Sequence, residues 1–195
     1  WQLGEVGAVA EVDSNINNMI LFEGEVGTPG KTITYKVKLD NINIAQTRSD
    51  FGMVVCRAGS ELFSFETYAK QNEAGEWVLY NPSYFQIYGY SADGNFQTSI
   101  SDVVPPTIVD GKLSTDWFTI EIEPLEGNKY NFRVNGKTVA ENKAFKTATT
   151  NTNKGLEFRY RKSEGNLGEG AMYIDDFTIS ETRYVADDLS SKNVT

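Results

Sequence analysis

The stretch Tyr84-Phe85-Gln86-Ile87-Tyr88-Gly89-Tyr90 alternates two kinds of side chain. Successive residues of a strand face opposite sides, so Phe85 and Ile87 share one face and Tyr84, Gln86, Tyr88 and Tyr90 the other. The first face is core. The second offers aromatic rings that can cover C–H-rich surface, together with hydroxyls and an amide that donate and accept hydrogen bonds. Those are the two demands of a glycan, whose sugars present C–H faces and dense hydroxyls. Gly89 is expected to leave room for a close approach. Upstream, Trp77, Tyr80 and Asn81 add candidates in a loop-like stretch. Arg57, Tyr68, Arg159 and Arg161 stand on polar-leaning faces of strands that could flank the row. The competing explanation is structural, because tyrosine suits strands and cross-strand aromatic pairs stabilise sheets by roughly 0.2–1 kcal/mol each.

Other chemistries find less support. The chain has no histidine, which removes Ser-His-Asp and Cys-His mechanisms and the commonest zinc ligand. Its single cysteine, Cys56, lies in the apolar run Met53-Val54-Val55-Cys56 and reads as a small buried hydrophobe. Glu121 and Glu123 alternate on one strand, as the acid and nucleophile of a retaining glycosidase would, about 5–5.5 Å apart. Pro124 follows at once, and a solvated strand face explains that pair better. The formal net charge of −9, without clustered Lys or Arg, makes nucleic acid and anionic membranes poor partners. No apolar run approaches the roughly 18 residues of a membrane helix. The chain opens at Trp1 without a basic and then apolar leader, and is read as a processed or excised piece of something longer.

The elements that must position these residues are strands. Period-2 alternation marks residues 32–39, 52–57, 62–70, 77–80, 84–90, 96–100, 117–123, 130–134, 137–141, 155–161 and 171–180. Turn chemistry separates them at Thr28-Pro29-Gly30, Ala92-Asp93-Gly94, Asp110-Gly111, Glu126-Gly127-Asn128 and Asn135-Gly136. Asn135-Gly136 suits the two left-handed positions of a type I′ hairpin turn. So many short strands imply one all-β antiparallel β-sandwich over residues 1–184, with 185–195 a polar tail or linker. Trp117, Phe118, Ile120, Ile122, Phe132, Val134, Phe158, Ile174 and Phe177 are expected to be mostly buried.

The hairpin Trp117-Phe118-Thr119-Ile120-Glu121-Ile122 through Tyr130-Asn131-Phe132-Arg133-Val134-Asn135-Gly136-Lys137 resembles concanavalin A-like (laminin-G-like) jelly rolls. Tyr173-Ile174-Asp175-Asp176-Phe177-Thr178-Ile179 looks like the last strand of those domains and is similar to the ending of family 4 carbohydrate-binding modules. The resemblance implies a jelly roll whose concave sheet holds a glycan, and one structural Ca2+ joining first and last strands, with Glu23 and Asp175 as ligands. The acidic chain could supply the oxygens that a hard cation wants. Gln86-Ile87-Tyr88, residues Arg57 to Leu62 and Phe158-Arg159-Tyr160 also resemble, in order, three active-site strands of jelly-roll alginate lyases. Here Tyr88 replaces the histidine of that pattern, its second arginine is absent and the first is displaced.

The function expected is a non-catalytic glycan-binding module of an exported bacterial protein, secreted or at the cell surface, and part of a larger polypeptide. Its ligand would be a polysaccharide or oligosaccharide, met by Trp77, Tyr80, Tyr84, Gln86, Tyr88, Tyr90, Arg57 and Arg159. The alternative is a polysaccharide lyase or glycoside hydrolase on the same jelly roll.

Overall fold

The computed structural model describes residues 8–9, 19–23, 27–44, 55–58, 60–67, 69–146, 155–159 and 171–181. In chain order the strands are β1 (Ala8–Val9), β2 (Met19–Glu23), β3 (Lys31–Asp40), β4 (Ile42–Asn43), β5 (Val55–Ala58), β6 (Ser60–Thr67), β7 (Ala69–Gln71) and β8 (Trp77–Leu79). There follow β9 (Phe85–Gly89), β10 (Phe96–Ser99), β11 (Thr107–Val109), β12 (Lys112–Ser114), β13 (Phe118–Leu125), β14 (Lys129–Val134), β15 (Lys137–Ala144), β16 (Gly155–Arg159) and β17 (Ala171–Glu181). No helix occurs among the described residues. Among the described residues two six-stranded sheets carry the fold, ordered β1-β17-β3-β13-β14-β15 (sheet A) and β10-β9-β6-β5-β16-β2 (sheet B). Every strand pair among the described residues is antiparallel, and the chain passes repeatedly from one sheet to the other, giving an antiparallel β-sandwich of the jelly-roll type.

Alternation sets the core. On β3, Ile33, Tyr35, Val37 and Leu39 are buried while Lys36 between them is exposed. Cross-strand register lines Tyr35 up with Ile120 and Val134, and Ile33 with Ile122 and Phe132. From sheet B, Phe63, Phe65, Phe85 and Ile87 face these residues. The sheets meet through rings: Phe63 stacks on Phe132 with centroids 4.7 Å apart, and Phe65 meets Phe118 edge-to-face at 5.6 Å. Each fully buried apolar side chain of this size contributes about 1.5–3 kcal/mol.

The expected type I′ hairpin is present, with Asn135 at φ 46° and Gly136 at φ 79°. Asn135 does more than turn. Its side-chain oxygen accepts the Thr119 N–H (2.8 Å) and its amide donates to the Val103 carbonyl (2.8 Å), tying the hairpin to a neighbouring loop.

Several expectations need correction. The run 62–70 is two strands: after Thr67 the chain leaves sheet B, and the Ala69 N–H donates to the Ile44 carbonyl (2.9 Å). The short strands β1, β2, β4, β11 and β12 lie outside the eleven segments marked by alternation. Trp117 is 40% exposed, because the register that buries Phe118 turns its neighbour outward, where it meets the Tyr173 ring at 6.4 Å. Phe177 is half-buried, stacked on Tyr35 after a bulge at which Asp176 takes φ 51°. The side chain of Phe158 and the tail 185–195 lie outside the described residues.

Gly89 also serves a different purpose. It pairs with Phe63 and Phe96 on the core side, and a Cβ placed on it would lie 1.9 Å from the Phe96 ring. The missing side chain admits an aromatic ring, with no bearing on the polar face. Gly89→Ala is expected to displace that ring and cost about 1–3 kcal/mol, read as a shift in the denaturation midpoint. A midpoint equal to wild type would show that Phe96 can swing aside freely.

Candidate functional site

The polar face of sheet B is built by register. β6 and β10 flank β9, so Ser64, Tyr88 and Gln97 stand in one row across three strands, and Glu66, Gln86 and Ser99 in the next. All lie opposite the face that carries Phe63, Phe65, Phe85 and Ile87. Glu66 organises the second row: its Oε2 accepts from Gln86 Nε2 at 2.9 Å and from Gln97 Nε2 at 3.3 Å. Gln86 is only 9% exposed, so its amide belongs to the floor of the face.

At one end of this floor stands an aromatic pair. The half-buried rings of Tyr88 and Tyr90 meet edge-to-face with centroids 5.0 Å apart. The Tyr88 hydroxyl accepts a hydrogen bond from Asn95 Nδ2 (3.0 Å), and the Lys146 ammonium lies 5.5 Å from the Tyr90 ring centre. Tyr90 is fixed by its backbone: its N–H donates to the Leu62 carbonyl (2.9 Å), and its carbonyl accepts from the Tyr130 hydroxyl (3.4 Å). The following loop is pinned at Ser91, whose hydroxyl is shared between the Ala144 carbonyl (2.8 Å) and the Asp93 carboxylate. That hydrogen bond holds the Asp93 carboxyl below its ordinary value.

The other sequence candidates stand apart from this pair. Tyr84, at the far end of β9, is half-buried and donates its N–H to the Asn81 carbonyl (2.8 Å). With about 3.3 Å per strand residue, it stands roughly 20 Å from Tyr90. Trp77 lies on the separate β7–β8 hairpin and packs against the core, while Tyr80 beyond it is 50% exposed beneath the Lys70 ammonium. Asn81 caps its own turn by accepting the Ser83 N–H at 3.0 Å. Of the eight ligand-binding candidates, the structure thus groups Gln86, Tyr88 and Tyr90, and places Tyr84, Trp77 and Tyr80 at the other end. Arg57 and Arg159 belong to β5 and β16 of the same sheet, paired in register with Glu157 and Val55 respectively, and their side chains lie outside the described residues. Tyr68 and Arg161 also lie outside them. Glu66, Gln97 and Asn95 were not anticipated. Glu66 alternates with Phe63 and Phe65, which marks its face, but only the register reveals its partners.

The two carboxylates weighed for hydrolysis sit on sheet A, held by one guanidinium. Arg133 pairs with Glu121 and with Glu123 (3.0 Å), and Asn131 also donates to Glu123 (2.9 Å). Glu123 is buried, so this is an ion-paired cluster in place of the solvated face expected. On the same sheet Asp175 accepts the Asp176 N–H (2.8 Å), while Asp176 pairs with Lys36. Glu23 lies on β2 at an edge of sheet B, its side chain outside the described residues. Among the described residues no three carboxylate, histidine or cysteine groups converge as a metal site would require.

Neither a protein-family model nor a curated protein sequence matches the chain. Solved structures similar to it include an alginate lyase from Pseudomonas aeruginosa, at 12% identity over 92% of this chain and 85% of that one, with a TM-score of 0.43. A tetrameric galectin from the ball sponge Cinachyrella is 12% identical over 83% of this chain and 99% of its own, with a TM-score of 0.38. A family 7 alginate lyase with bound product is 15% identical over 89% and 78%, with a TM-score of 0.37. At these values the likeness is one of general architecture and bears on nothing further.

Proposed function

We propose that the chain is a non-catalytic glycan-binding module whose ligand lies on the polar face of sheet B. The observation that carries this reading is the Tyr88–Tyr90 pair standing beside the Glu66–Gln86–Gln97 network on one face. Rings at the end of the row would cover the C–H face of a sugar, and the amides and carboxylate would meet its hydroxyls. Strand residues hold both kinds of group in fixed positions, so little ordering is needed on binding. Affinity should be modest, because each sugar hydroxyl trades water for protein at small net gain. Export from a bacterium and attachment to further domains belong to the same proposal and rest on the family resemblance.

A retention screen of the purified chain against a polysaccharide panel tests this, scoring product release alongside. Retention without release supports the reading. Steady release of unsaturated oligosaccharides, lost in Tyr88→Phe, would replace it with a lyase that uses Tyr88 as its proton-transfer group.

The Ca2+ held by Glu23 and Asp175 remains a proposal drawn from the resemblance. With one Asp175 oxygen already accepting a backbone N–H, a cation would need carbonyl oxygens or water to complete its shell. A metal that binds only the native state raises its melting temperature, so a chelator should lower it. An unchanged melt would remove the calcium.

A further inference from the structure

Asn95 decides which way the Tyr88 hydroxyl can hydrogen-bond. The Asn95 side-chain oxygen accepts the Ser91 N–H (3.4 Å), and a backbone N–H can only donate. This contact therefore fixes the amide orientation, with Nδ2 turned toward Tyr88. Nδ2 likewise can only donate, so the phenol oxygen at 3.0 Å must accept. A phenol has one proton, and no acceptor takes it among the described residues. The loop carrying Asn95 is tethered by Ser91 to the Ala144 carbonyl at the end of β15, so the arrangement is built into the sandwich.

We propose that Asn95 is a positioning residue that keeps the Tyr88 hydroxyl as a hydrogen-bond donor to an acceptor oxygen of the bound glycan. This rests on the glycan reading of the same face. Without Asn95 the phenol could turn its proton to a nearby protein acceptor or to water. With Asn95 it meets the ligand ready to donate.

The decisive variant is Asn95→Asp, nearly isosteric, still able to accept the Ser91 N–H, and now able to take the Tyr88 proton. The probes are a neutral β-glucan, a xylan, a mannan and a polyuronate, each cast in a native gel. On whichever retards the wild type, Asn95→Asp and Tyr88→Phe should each weaken binding roughly two- to tenfold, the worth of one neutral hydrogen bond. The double variant should be no weaker than either single one. Additive losses, or binding by Asn95→Asp equal to wild type, would overturn the proposal, and a charge effect of the new carboxylate would show as additivity. The Raman doublet of tyrosine, taken as a difference against Tyr88→Phe, reads the bond without ligand. It should report an accepting phenol in the wild type and a donating one in Asn95→Asp, and the same signal in both would overturn the assignment. Retardation by none of the four gels would sink the glycan reading and the ligand part of this proposal together, while the spectrum would still decide the direction of the hydrogen bond.

Discussion

Replacing Tyr88 with alanine is expected to abolish retention on the preferred polysaccharide while leaving the fold in place. The ring is half-buried and its nearest aromatic partner is Tyr90, so its removal forfeits an edge-to-face pair worth about 0.5–1.5 kcal/mol and little of the core. Binding suffers more than stability. The platform loses one of its two rings, and the hydroxyl oriented by Asn95 goes with it. Retention and thermal melting of the same preparation check both halves. A large fall in melting temperature with retention intact would mean that Tyr88 is a packing residue.

The opposite profile is expected of Phe132→Ala. Phe132 is buried on β14, one strand in from the β15 edge of sheet A, and stacks on Phe63 of sheet B at 4.7 Å, at a point where the two layers touch. Truncating a buried phenylalanine costs about 3–5 kcal/mol, from lost transfer energy and the cavity left behind. Domains have only about 5–15 kcal/mol in total, so the urea midpoint should fall steeply. Molecules that remain folded should still bind, because the polar face is untouched. A loss below about 1 kcal/mol would show that the cavity collapses, or that the two sheets do not meet at this ring.

Much of this architecture can be read from alternation alone. The buried apolar residues of β3, β13 and β14 follow period 2, with only the polar Thr32 and Glu123 buried off that alternation, and Asn135-Gly136 marks its turn by the φ values that only such residues adopt easily. The same parity puts Gly89 with Phe85 and Ile87, and Trp117 opposite Phe118. Chemical expectation, room for a ligand in one case and a large aromatic in the other, points the wrong way where the alternation is right. The face bearing Gln86 and Tyr88 is legible for the same reason. Its partners are not. That Glu66 joins Gln86 to Gln97 depends on β6 and β10 flanking β9 in a particular register, and long-range pairing leaves no mark in a local pattern. Trp77 and Tyr80 read as companions of the tyrosines because they are near in sequence, yet the chain leaves sheet B after Thr67 and carries them on a separate hairpin.

The central claim is that a glycan lies on the polar face of sheet B. The most direct measurement is a nuclear magnetic resonance titration of the labelled chain with an oligosaccharide of the retained polysaccharide. The side-chain amide signals of Gln86, Gln97 and Asn95, and the backbone signals of Glu66, Tyr88 and Tyr90, should move together and saturate at one concentration. Saturating shifts confined to the outer face of sheet A, around Trp117 and Tyr173, with the sheet B signals unmoved, would contradict it.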